Sequence, residues 1–223
     1  MRKFLKYLQK NKYEILLFAL IQHLYIGIFL TNLPFYTKVI WPINMLILGI
    51  ASVGVFIDKG YWKNLIQKIL LLLVLELPIG LTFFENSISY FLFLNIAYVL
   101  FFVFIFIELL KFLIKPSYIN IDIISAAACG YFLLIEICTF LLQFLVVQNP
   151  QSFKGMDGSV SALTYMDLVY FSSITLTSIG FGDITPNLHY TKLITSFFGV
   201  AGQFYSVVLV GILISKFAAK NSE

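Results

Sequence analysis

Arginine occurs once in this chain, at position 2, and cysteine and histidine occur twice each. Charged residues make up only 12% of the 223 residues. Each scarcity excludes something. Cys129 and Cys138 fall in one apolar run that reads as a helix. A rise of about 1.5 Å per residue puts them about 13 Å apart, too far for a disulfide within that helix. His23 and His189 stand alone, without metal-ligand spacing, so a His/Cys metal centre has no support. A soluble fold also fails, because 60% of the residues are hydrophobic and mean hydropathy is +0.93. That is more apolar surface than a soluble interior of this size can hide. The chain reads as an all-α integral membrane protein.

A hydrocarbon core about 30 Å thick takes about 20 residues of helix to cross. Six apolar runs satisfy this: Ile15–Leu33, Val39–Ile57, Leu65–Phe84, Tyr90–Phe112, Ile121–Val147 and Tyr190–Phe217. The first follows a basic segment but precedes no small-residue cleavage site, so it reads as a retained helix rather than a signal peptide. Arg2, Lys3, Lys6, Lys10, Lys12, Lys59, Lys63, Lys68, Lys111, Lys115, Lys216 and Lys220 fall on one side of the six-span arrangement; only Lys38, Lys154 and Lys192 fall on the other. The positive-inside bias therefore puts both termini in the cytoplasm of a multi-pass plasma or inner membrane protein. The net charge of +4 follows from that bias. It points to anionic lipid at a basic membrane face and not to nucleic acid.

Lys115-Pro116-Ser117 breaks the pattern after four spans. Residues 1–115 form a four-helix unit and residues 116–223 a second domain, in which about forty residues separate two long helices, more than a hairpin loop needs. Within that stretch, Gln148–Ser161 is polar and turn-rich and is expected to be exposed on the outer side. Ala162–Thr177 is apolar but too short to span, and Asp167 near its start suits the positive end of a helix dipole. A short helix that enters the membrane and turns back fits. Non-helical backbone survives at that depth only where protein buries it or water lines it.

The segment that follows is Thr177-Ser178-Ile179-Gly180-Phe181-Gly182-Asp183. With the short helix before it, Ser178–Asp183 resembles the selectivity filter of the tetrameric potassium channel family, usually T-V-G-Y-G-D. Tyr170 and Phe171 resemble the aromatic pair that supports the filter there, with Asp183 beside them. Pro186 falls where the family often has proline, and Gly202 matches its inner-helix hinge glycine. The resemblance covers about Ile121–Phe217. It implies a homotetrameric pore, with K⁺ as the permeant ion rather than a cofactor and no covalent chemistry.

Dehydrating K⁺ in a low-dielectric medium is prohibitive unless other oxygens replace the water. Aiming consecutive carbonyls at one axis requires alternate residues in left-handed dihedrals, which glycine adopts without a Cβ penalty. Gly180 and Gly182 have that spacing. Carbonyls of Ser178, Ile179, Gly180 and Phe181 with the Ser178 hydroxyl would then stack as oxygen rings, Thr177 lying at their inner end. Side chains of Ile179 and Phe181 are expected to point away and pack on the short helices. The negative ends of those helices would favour a cation in the cavity below.

Two filter positions depart from the common pattern. Ser178 keeps the hydroxyl of threonine but lacks its methyl, and Phe181 lacks the tyrosine phenol. Ile174 stands where some relatives carry a glutamate that could meet Asp183. The fourth span, YFLFLNIAYVLFFVFIFIELLKF, holds no arginine, and Lys111 sits at its end near Glu108. No strong voltage gating is expected. After Phe217 only AAKNSE remains, so no nucleotide- or calcium-binding module is expected.

Rival readings stay open at this stage. One is a non-selective cation channel on the same scaffold. Another is a secondary transporter or membrane enzyme built on intramembrane Glu76 and Glu136 with His23, although a structural, hydrogen-bonded Glu136 is the blander account. Gly202 fits close helix packing as well as hinging, and Gly199 and Gly211 fit packing. His189, just outside the filter, could oppose cation entry when protonated. Gln203 and Tyr205 are candidates to face or support the central cavity. The four-helix unit could also dock a regulatory membrane partner.

Overall fold

In the computed structural model, residues 2–29, 32–56, 60–81, 83–84, 87–114, 121–156 and 161–220 are described. The break at Lys115-Pro116-Ser117 lies outside them. The described residues are almost wholly helical. In chain order the helices are α1 (Arg2–Lys10), α2 (Lys12–Tyr25), α3 (Leu33–Phe35), α4 (Trp41–Phe56), α5 (Tyr61–Gly80), α6 (Ile88–Ile114), α7 (Ile121–Gln148), α8 (Ser161–Leu176) and α9 (His189–Lys220). Among the described residues, five segments are long and apolar enough to cross a membrane: Lys12–Phe29, Leu33–Phe56, Ile88–Ile114, Ile121–Gln148 and His189–Leu209. The expected third span, α5, is long enough at 20 residues but carries Lys63, Lys68 and Glu76.

Local chemistry sets the irregular parts. The side chain of Asn32 caps α3 by accepting from the Phe35 amide at 3.0 Å, and Pro34 occupies the first turn, where its missing N–H is not needed. A π-helical turn, Tyr36–Ile40, then runs into α4, whose second residue is Pro42. The wider turn suits a proline that cannot donate to the preceding turn. Pro78 sits in the last turn of α5, which ends at Gly80, and the Tyr90 hydroxyl donates to the Leu77 carbonyl there. The basic amino-terminal segment, given no secondary structure in the span reading, forms α1 and buries Leu8.

One apolar core runs continuously from α2 to α9. Helix α6 packs along α7, α2 packs against both α4 and α7, and α7 carries α8 and α9. The two sequence domains therefore share a core.

Candidate functional site

Between α7 and α9 lie α8 and the loop Thr177–Ile184, which form the candidate site. The polar stretch before α8 is less exposed than its composition implies. Asn149 caps a 3₁₀ turn, Pro150–Ser152, by accepting from the Gln151 amide. The next two residues, Phe153–Lys154 (β1), pair antiparallel with Thr185–Pro186 (β2), Phe153 facing Pro186 and Lys154 facing Thr185. Ser152 and Phe153 are buried. The Ser152 carbonyl accepts from the Asn187 amide at 2.8 Å and from the Thr191 hydroxyl at 3.0 Å. The loop entering α8 is thus stitched to the chain leaving the site.

Helix α8 ends in a Schellman arrangement. The Ser178 amide donates to the Thr175 carbonyl at 3.1 Å, and the Ile179 amide donates to the Ile174 carbonyl at 2.9 Å. Ser178 has φ +60°, the left-handed residue that this cap requires and that glycine usually supplies. For a non-glycine residue that conformation costs about 1–2 kcal/mol. Gly180 and Gly182 follow at φ +52° and +83°. Left-handed backbone therefore alternates through 178, 180 and 182. The glycine positions were readable from sequence; the serine was not, because nothing in its side chain marks a positive φ. A Cβ at Gly180 or Gly182 meets nothing within 4 Å, so dihedral angle and not space selects glycine there.

The supporting groups come together around this loop. The Tyr170 hydroxyl donates to Asp183 Oδ2 at 2.7 Å. That hydrogen bond is the main reason the Asp183 carboxyl sits below the ordinary aspartate value. Ile174 contributes a buried side chain, and Asp183 takes its partner from α8 one turn earlier. Phe171 is buried with its ring centre 5.2 Å from Phe153, edge to face. The Thr177 hydroxyl donates back to the Ser173 carbonyl at 2.7 Å. Gln203 reaches from α9 and donates to Ser178 Oγ at 2.8 Å. Within the single chain Ile179 and Phe181 stay 57% and 71% exposed, so their packing is not provided by their own α8.

Gly202 is a point of close approach. A Cβ there would lie 2.9 Å from the Leu176 carbonyl oxygen, at the end of α8. Gly199 makes only ordinary contact with Thr175, and Gly211 faces open space. The Tyr205 hydroxyl donates to the Ala127 carbonyl of α7 at 2.8 Å. His189 is exposed beside Tyr190 at the start of α9.

Glu136 and His23, grouped with Glu76 in the transporter reading, meet. His23 Nδ1 is 2.7 Å from Glu136 Oε1 and 3.1 Å from the Tyr165 hydroxyl, and all three residues are fully buried. Trp41 packs on Tyr165 with ring centres 4.6 Å apart. Nearby, the Tyr25 hydroxyl is 3.2 Å from Ser173 Oγ. The first span thus touches α8 directly. Glu76, by contrast, is exposed on α5.

Comparison with known proteins agrees with this geometry. Residues 123–219 match a family described as "Ion channel". The matched stretch is less than half of the chain and runs from α7 through α8 and the loop into α9. The potassium voltage-gated channel subfamily KQT member 3 of Bos taurus and that of Homo sapiens are each 31% identical over 103 residues, 46% of this chain and 12% of theirs. KQT member 4 of Homo sapiens is 34% identical over 67 residues, 30% of this chain and 10% of its own. The chain therefore matches only a small part of the length of these curated relatives. Their similarity agrees with the potassium-channel resemblance carried by Ser178–Asp183. No solved structure matches the chain.

Proposed function

We propose that four copies of this chain assemble around an axis and conduct K⁺ selectively and passively across a cell membrane, with both termini cytoplasmic. The observation that carries the reading is the left-handed alternation at Ser178, Gly180 and Gly182. Residues between them keep ordinary dihedrals, so successive peptide planes turn their carbonyls to the same side. Thr177, Ser178, Ile179, Gly180, Phe181 and Gly182 would line that side, with carbonyls 178 to 181 and the Ser178 hydroxyl replacing water around the ion. One strand gives only part of each oxygen ring, hence the cyclic assembly. The exposed Ile179 and Phe181 side chains would then be covered by neighbouring copies.

Six helices span the membrane in this reading, α5 included, with Lys63 near its start paired to Glu108 of α6. The transporter alternative loses its shared polar site, because Glu136 is engaged by His23 while Glu76 is exposed on another helix. Non-selective conduction on the same scaffold is the remaining rival. Purified protein in liposomes should pass K⁺ and exclude Na⁺, and the reversal potential should follow the K⁺ gradient. A reversal potential that follows Na⁺ equally overturns selectivity; no flux from wild type when Gly180→Ala is equally silent overturns conduction.

A further inference from the structure

We infer that Gln203 is a positioning residue for the innermost ion site, acting through its hydrogen bond to the Ser178 hydroxyl. This rests on the conduction reading above and adds a residue outside the filter loop. Four observations converge. Gln203 Nε2 donates to Ser178 Oγ at 2.8 Å across two elements and 25 residues of sequence. Ser178 is the filter residue whose hydroxyl is a candidate ligand, and it lacks the second γ substituent that would restrict its rotamer. It is also held at φ +60° by the end of α8. Finally, Gly202 lets α9 approach the Leu176 backbone closely enough for the next residue to reach the filter.

A serine hydroxyl has one hydrogen to donate and two lone pairs. When Gln203 occupies one lone pair, the oxygen is fixed and the other lone pair has a defined direction. Without the amide the hydroxyl rotates among staggered wells, and an ion entering from the inner side pays to select one. The amide N–H also has an opposing effect, since its partial positive charge weakens the oxygen as a cation ligand. The two effects predict opposite signs for an ion bound there. Positioning makes loss of Gln203 weaken ion binding; electrostatics alone makes it tighten.

Ba²⁺, a divalent ion close to K⁺ in size, is the probe, applied from the side that the inner end of the filter faces. Full-length protein in bilayers is compared as wild type, Gln203→Met, Ser178→Ala and the double variant. Methionine matches glutamine in length without a donor. Gln203→Met should speed Ba²⁺ dissociation about five- to tenfold, the range of one lost hydrogen bond. In the Ser178→Ala background, where no hydroxyl remains to orient, the same change should do less than about twofold. Tighter block in Gln203→Met overturns the inference, as does an equal effect in both backgrounds or none in either. If Gln203→Met fails to assemble, Gln203→Leu and Gln203→Asn are substituted, and failure of all three to assemble also overturns it, since the residue is then structural. Loss of K⁺ over Na⁺ preference in wild type would sink the conduction reading instead, and is read separately from Ba²⁺ kinetics.

Discussion

At the residue scale, the site rests on a few side chains whose chemistry is tied to one position each. Asp183 is the clearest. It is exposed, yet its carboxyl accepts from Tyr170 and is thereby held below the usual aspartate value. A carboxyl depressed in the folded state stabilises that state above its unfolded pKa and loses the contribution as pH falls through the folded value. Tyr170→Phe removes the donor, so Asp183 should titrate closer to its ordinary range. Acid-induced loss of current should then set in at higher external pH in Tyr170→Phe than in wild type. The measurement is current against external pH in both proteins. Superimposed curves would mean that the pair does not hold the outer end of the filter. External acid also reaches His189, so the comparison is repeated with His189→Ala in both backgrounds.

At the element scale, what positions the loop Thr177–Ile184 is the set of surfaces around α8. Its carboxyl end packs against α9 at Gly202, its Phe171 packs against Phe153 of β1, and its inner face meets α7 and the first span. Gly202→Ala would push a methyl against the Leu176 carbonyl, a backbone atom with little freedom to give way. Overpacking of this kind costs about 1–3 kcal/mol. Thermal unfolding in detergent should show that loss, and the Gln203–Ser178 contact should weaken with it. A variant as stable as wild type, with unchanged conductance, would return Gly202 to the hinge reading alone. Much of this element layout was legible. Long apolar runs fix where helices lie to within a few residues, and the short run before Ser178 was identifiable because it is apolar yet too brief to span. The β1–β2 ladder was not legible, since two residues per strand carry no alternation to detect. Nor was α1, a basic helix of nine residues with one described core residue, Leu8. Its charge pattern spoke only to orientation. Ser178 escaped because positive φ is a demand of the helix cap and not a preference of serine. His23 and Glu136 were joined only in a rival reading that also needed Glu76, because sequence marks an acid and an imidazole without saying that 113 residues apart they touch.

At the scale of the whole molecule, that pair ties α2 to α7 and, through Tyr165, to α8. His23 on α2, Glu136 on α7 and Tyr165 on α8 form a polar cluster inside an aromatic shell of Trp41, Phe102 and Phe140. Buried polar groups cost most when one partner is removed and least when both are. His23→Leu and Glu136→Leu should each lower the unfolding temperature, while the double variant should recover part of the loss, a coupling of about 0.5–3 kcal/mol. Additive losses would show that the two side chains act independently. A helix pinned to α8 in this way is poorly suited to slide past it. The charges say the same. Helix α6 carries Glu108 and Lys111 alone, net zero, and Lys111 and Lys63 both bond Glu108 Oε1, at 2.9 and 2.8 Å. On α5, Lys63 and Lys68 are partly offset by Glu76, and opposite charges on one rigid helix cancel most of the work of moving it. Each elementary charge carried across the membrane gains only about 2.3 kcal/mol per 100 mV, so steep gating needs several per subunit moving together. Neither α5 nor α6 supplies them. Steady-state conductance measured between strongly negative and strongly positive potentials in symmetrical K⁺ should therefore vary gently, with a limiting slope equivalent to fewer than about two charges for the whole assembly. A steep sigmoid would require a charge-bearing motion that breaks both the Glu108 pairs and the His23–Glu136 contact, and substituting Glu108 with glutamine would then shift its midpoint.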